Sequence, residues 1–379
     1  MLKKQLQKNI RNVDIDFWRG IVLIIIMINH IPGNILENFT PRNYGFSDSA
    51  EAFVFISGFS VAMAYYARMD QYGIAGIMRR CLRRAFLLYR THLLLTVLAL
   101  VLFVIGYAIC KDETLLSEHG RHYIFDDTVK GVTGVILLSL QFGYLNILPL
   151  YIVLMLWAPI ALILFRANRT VALVVSLTIY GLARLGILAL PNWPEQGYWF
   201  LNPYAWQFVF TIGIYAGILY REDRLPSLRC MFKTSLCISI ISGFIVLNGF
   251  GFFPKLFGNI GPYLDLEKGH LGIGRIIHFL ALAIVLVKIT PEFFIKDSLW
   301  GREFQQVGRH GLPIFAVGTL LSCAGQVLFK IIAVKSSLKP EWVCAVFTVF
   351  CILVLVFIAH YLEKKDKAKQ TNQCLESAG

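Results

Sequence analysis

The chain has 379 residues, 57% of them hydrophobic, with a net charge of +13 and a mean hydropathy of +0.63. A soluble domain of this size has too little interior for that much apolar sequence, so the composition excludes an ordinary soluble enzyme and indicates a polytopic membrane protein. The basic excess comes without a soluble basic domain, which argues against a nucleic-acid partner.

The first sixteen residues are polar, and no small-residue cleavage site closes the apolar run that follows, so no cleavable signal peptide is expected. That run, from Phe17 to Leu36, reads FWRGIVLIIIMINHIPGNIL. It is long enough to cross a bilayer. Its Arg19 is costly there, by at least ~2.5–3.5 kcal/mol on insertion scales, and a charge in such a place usually faces a cavity or a partner. Arg19 and His30 are 11 positions apart, which returns to nearly the same helix face with a rise of ~16 Å. Pro32 and Gly33 should break the helix just after His30 and free carbonyls that need partners. His30 is suited to accept a proton from a hydroxyl, or to serve as a structural histidine bonded to a neighbouring helix.

Further apolar runs begin near Glu51, Ala85, Ile147, Val171, Tyr204, Ser235, Leu271, Gly308 and Glu341, giving about ten spans of an all-α transmembrane bundle. Val129–Gln141 is short for a span and reads as interfacial or re-entrant. With the N-terminus inside, the inner segments carry 22 Lys and Arg and the outer segments 8. The asymmetry places both termini in the cytoplasm. Residues 1–363 form one transmembrane domain on this reading, and 364–379 a loose, short cytoplasmic tail.

Asp48 and Glu51 open the second span with a capping-box spacing. The same carboxylates could orient His30 or bind substrate hydroxyls. Ser57 and Gly58, in mid-span, read as helix-packing residues. The run RRCLRR supplies Arg79, Arg80, Arg83 and Arg84, and Arg90 and His92 lie deeper in the next apolar stretch. Guanidinium groups on a shared face can clamp phosphates, and they also act as a positive-inside signal. Arg184, Arg275 and His278 belong to the opposite polar layer. Those arginines either pair with Asp48 and Glu51 or hold the carboxylate of a bound ligand. The segment PNWPEQGYWFLNPYAWQ holds Trp199 and Trp206, which suit stacking on sugar rings or an interfacial belt.

The eight cysteines show no C-x-x-C pair and no zinc spacing, so no metal is expected; Cys110 and Cys344 are the two near the outer face where a disulfide could persist. Glu118, His119 and His122 resemble a fragment of a metal site but read as a solvated loop.

These motifs carry a family resemblance. Asp16, Arg19, Gly20 and His30 form a D-x-x-R-G pattern followed by histidine. With SDSAEAFVFISGF (47–59), RRCLRR, NILPLY (146–151), NPYAWQFVF (202–210) and VGRHGLPIF (307–315) in order, the chain resembles the OpgC-type membrane proteins of the acyltransferase-3 superfamily. The resemblance implies a bacterial inner-membrane enzyme that moves an acyl group, succinyl for OpgC proteins, from cytoplasmic acyl-CoA to hydroxyls of an osmoregulated periplasmic glucan. Acyl-CoA is then a co-substrate and no cofactor stays bound. Arg19, Arg79, Arg80, Arg83, Arg84 and Arg90 become the acyl-CoA-binding set. His30, with Asp48 and Glu51, becomes the catalytic set, and Arg184, Arg275, His278, Trp199 and Trp206 become the acyl- or glycan-binding set. The partners are membrane lipid, the CoA donor and the glycan acceptor, and the oligomeric state is left open. A transporter, or a non-catalytic partner of glycan export or modification machinery, would share the intramembrane charges.

Overall fold

A computed structural model of the chain describes residues 12–376. Among these residues there are twelve helices of nine residues or more and no strand: α1 (Val13–Asn29), α2 (Ser49–Tyr65), α3 (Met69–Cys110), α4 (Thr128–Ile136), α5 (Ile147–Ala167), α6 (Arg169–Arg184), α7 (Pro203–Arg221), α8 (Leu228–Val246), α9 (Ile273–Ile289), α10 (Leu299–Arg309), α11 (Gly311–Lys335) and α12 (Pro340–Glu376). The ten apolar runs map onto all of these except α4 and α10. Among the described residues, five stretches are long and apolar enough to cross a membrane: Ser49–Cys110, Gly143–Ala167, Leu228–Val246, Gly311–Lys335 and Pro340–Lys369. The protein is therefore an all-helical membrane protein.

Local chemistry sets the helix starts. The Asn12 side chain accepts from the backbone N–H groups of Asp14 and Ile15 at the start of α1. Asp48 and Glu51 form the capping box expected at α2. Asn202 caps α7, whose first residue is Pro203. Such side chains satisfy N–H groups that have no partner within the helix. Within α3, Gly73 has a φ of 63° and interrupts the helical geometry, so the long helix begins in earnest after it. The polar segment from Lys364 is helical, continuing α12 to Glu376. Residues 1–11 and 377–379, with the N-terminal charges and the end of the tail, lie outside the described residues.

The chain divides into two compact units, residues 1–40 with 290–379, and residues 41–289. In the first, α1 packs on α10 and α11, and α12 packs on α10 and α11. The α1–α10 crossing is made close by two glycines. A Cβ on Gly20 would lie 1.9 Å from the Phe304 carbonyl oxygen, and one on Gly308 would lie 1.8 Å from that of Asp16.

In the second unit α2 packs on α7, α3 on α5, and α8 on α9. Gly58 meets α7 backbone so tightly that a Cβ would fall 2.0 Å from the Phe210 carbonyl oxygen. Small residues let helix backbones approach in this way. Gly58→Ala should therefore push α2 and α7 apart. We expect a loss of about 1–3 kcal/mol, the range for overpacking a close-fitted contact. Thermal melting of the detergent-purified variant checks this, and an unchanged melting temperature would contradict the crossing.

Candidate functional site

Polar groups gather in two places, one in each unit. In the first unit, the D-x-x-R-G and VGRHG motifs meet. The Arg19 guanidinium donates to Asp16 at 3.0 Å and to the Gly308 carbonyl at 3.2 Å. Arg309 pairs with Glu363 of α12 at 2.7 Å and lies 4.0 Å from Asp16. His310 lies 3.4 Å from Glu363. Glycines 20 and 308 bring the two backbones together, and the charges sit at that crossing. Arg19 is thus held by groups of its own chain.

His30 ends α1 as its C-cap and is half-buried. The helix stops there, as Pro32 and Gly33 require, and Gly33 takes a φ of 68°. The freed carbonyls are satisfied. The buried Asn34 side chain donates to Ile28 and Ile31, and Gln326 of α11 donates to the His30 carbonyl at 3.2 Å. Asn34 was not singled out in the sequence, although an amide just past a broken helix is a signal of this capping.

The second unit builds its polar cluster from the start of α2, the start of α9 and the loop 264–272. Arg275 donates to the fully buried Glu51 carboxylate at 2.6 Å and lies 3.5 Å from Asp48. Lys268 donates to Asp48 at 2.5 Å. Burial alone would raise the Asp48 carboxyl, but the Lys268 and Arg275 charges outweigh it and hold that group well below the usual carboxylate range. Glu51 also accepts from the Asp48 backbone N–H, completing the capping box. His278, one turn beyond Arg275, accepts from the Ser47 backbone N–H at 3.2 Å, and its Nδ1 is 2.7 Å from the Ser47 hydroxyl. Gly45 leaves room for the ring, since a Cβ there would come within 2.3 Å of Nε2.

The loop that carries Lys268 is itself held at several points. Arg184 pairs with Asp265 at 2.5 Å and approaches Glu267 at 3.5 Å. The Tyr180 hydroxyl donates to the Leu271 carbonyl, and the Trp206 indole N–H and Asn202 N–H both donate to the Gly269 carbonyl. Arg275 thus pairs with Glu51 and Asp48, whereas Arg184 pairs with Asp265 and Glu267 instead. Trp206 is fully buried and Trp199 nearly so. Neither ring offers an open face for a sugar, which corrects the stacking role expected of them. The exposed aromatics of that segment are Trp193, Tyr198 and Phe200. Lys268, Asp265 and Glu267 were missed, though the charged run D-x-E-K-G-H just before an apolar span was a readable signal.

Beneath this cluster, Gln207 of the NPYAWQFVF motif exchanges hydrogen bonds with Ser176 and accepts from Thr211, which in turn accepts from the Trp157 indole. Buried networks of this kind fix helix register when their members are bonded.

On α3, Arg79, Arg80, Arg83 and Arg90 are exposed and Arg84 is half-buried. Arg80 lies over the Tyr72 ring at 3.7 Å. Among the described residues none of these five has a carboxylate partner. His119 lies near the Tyr144 ring and His122 lies against the Tyr123 ring in a tilted contact. Cys110 and Cys344 are both free thiols, so the disulfide weighed for them is absent.

The helices and their two polar clusters define a polytopic membrane protein with built ionic sites at helix ends. Its family follows from comparison: the model described as OpgC protein matches residues 11–367, nearly the whole chain, and the chain belongs to that family. Membership points to modification of periplasmic glucans and is consistent with a transferase. No curated protein and no solved structure matches.

Proposed function

We propose that this protein is a bacterial inner-membrane O-acyltransferase that moves succinyl from cytoplasmic succinyl-CoA to hydroxyls of a periplasmic glucan. The observation that carries this reading is the division among the arginines. Arg184 and Arg275 are committed to carboxylates of the chain, whereas the row Arg79, Arg80, Arg83 and Arg84 has none. Guanidinium groups on one helix and free of carboxylates suit the phosphates of CoA. Arg90 extends the row.

In this reading the chain crosses about ten times with both termini inside, and α3 starts at the cytoplasmic face. Reporter tags at either end should both signal cytoplasmic exposure, and a periplasmic signal from either would reject this arrangement. His30, ~16 Å beyond Arg19 by the helical rise of α1, meets the acceptor hydroxyl. It removes the hydroxyl proton as the oxygen attacks the thioester carbonyl. The new ester C–O bond forms, the C–S bond breaks, and the imidazolium returns the proton to the departing CoA sulfur. Asp48 and Glu51 fix Lys268 and Arg275 and so hold the loop that borders the glucan on the outer side. The exposed Trp193, Tyr198 and Phe200 supply ring faces for its sugars.

The test is purified protein with succinyl-CoA and glucan. Free CoA thiol should appear only when both are present. Binding or movement of glucan without thiol release would mark a transporter instead.

A further inference from the structure

One pair of groups in α3 has no place in the scheme above. His92 is 1% exposed and Thr96 5% exposed. They are four residues apart, so they share a helix face. That face is the buried stripe of α3, with Cys81, Ala85 and Leu88, and α3 packs along α5. Neither ring nitrogen of His92 has a hydrogen-bond partner, and neither has the Thr96 hydroxyl. Several other helical hydroxyls are bonded within their own turn. Thr91 donates to Leu87, Ser57 to Phe53, and Thr348 to Cys344. Thr96 does not. Three orphaned polar atoms on one face of an apolar helix are costly, and such clusters call for a partner.

The donor set narrows the chemistry of that partner. A neutral imidazole offers one donor and one acceptor, and a hydroxyl offers both. An anion would only accept and leave the ring acceptor unserved. A metal-free cation would only donate. A secondary amide both donates and accepts, and so matches the pair. The position matches as well. Arg84 precedes His92 by eight residues and Arg80 by twelve, a rise of ~12–18 Å along one helix.

We propose that His92 and Thr96 bind the amides of the pantetheine arm of the CoA donor. The inference rests on the acyl-CoA reading above. The arm runs along the buried side of α3 while its phosphates stay at the arginine row. His92 and Thr96 are then substrate-binding residues that distinguish CoA from its nucleotide head.

The test compares two ligands on purified full-length protein: CoA, and 3′-phospho-ADP, which is the head without the arm. The variant His92→Leu/Thr96→Val should bind CoA ~10-fold more weakly, the scale of one or two lost hydrogen bonds, and bind 3′-phospho-ADP as wild type does. His92→Gln keeps a donor and an acceptor and should retain most CoA affinity. It also serves if the double variant fails to fold. Unchanged CoA binding by the folded double variant would mean that the pair holds only water, and equal losses for both ligands would mean a structural role. A CoA loss in His92→Gln as large as in the double variant would also count against amide recognition. Each of these results overturns the proposal. Wild-type protein that binds neither ligand would overturn the acyl-CoA reading itself, and this inference with it.

Discussion

His30→Ala is expected to insert and fold normally yet transfer acyl groups about 10²–10⁴-fold more slowly, the usual contribution of a positioned general base. Other side chains hold the backbone around His30. Asn34 satisfies the carbonyls of Ile28 and Ile31, and Gln326 holds the His30 carbonyl from α11. Loss of the imidazole therefore leaves the end of α1 bonded, and the rate becomes a readout of chemistry. Initial rates of CoA thiol release, normalised to folded protein, check this. The melting temperature should stay close to wild type. A near-normal rate in the folded variant would remove His30 from the role of base.

Glu51→Ala should act through stability instead. Glu51 is fully buried, and Arg275 donates to it at 2.6 Å with only about a tenth of its own side chain exposed. Removing the carboxylate leaves a buried guanidinium whose next carboxylate, Asp48, is 3.5 Å away and already bonded to Lys268. Breaking one side of a buried pair typically costs about 3–5 kcal/mol. The capping box at α2 is lost as well, since Glu51 also accepts from the Asp48 N–H. Replacing both partners, as Glu51→Leu with Arg275→Met, should recover a large part of the loss, because no unpaired charge remains. Melting curves of Glu51→Leu, Arg275→Met and the double variant form the cycle. Additive losses would contradict the pair as described.

These results bear on what the amino-acid order discloses. Local features were legible. The Asp48–Glu51 capping box, the helix break at Pro32–Gly33, and the packing role of Gly58 each depend on residues a few positions apart, or on a side chain too small to have another use. Apolar run lengths located the helices for the same reason. Partners distant in sequence were not legible. Lys268 reaches Asp48 across 220 positions and Arg19 reaches the Gly308 carbonyl across 289. No spacing rule encodes such meetings. Trp206 shows a second limit. An indole near a span boundary suits a membrane belt, a sugar platform or a buried anchor, and only its contact with the Gly269 carbonyl decides among them. The orphaned state of His92 likewise depends on its neighbours, which the sequence of α3 alone cannot specify.

Mass spectrometry of the periplasmic glucan decides most directly whether this chain esterifies it. Glucans are compared from cells that make the wild-type protein, cells that lack it, and cells that make His30→Ala at equal membrane abundance. Succinyl esters, removed by mild alkali, are expected with wild type only. Identical glucan masses in all three would contradict this.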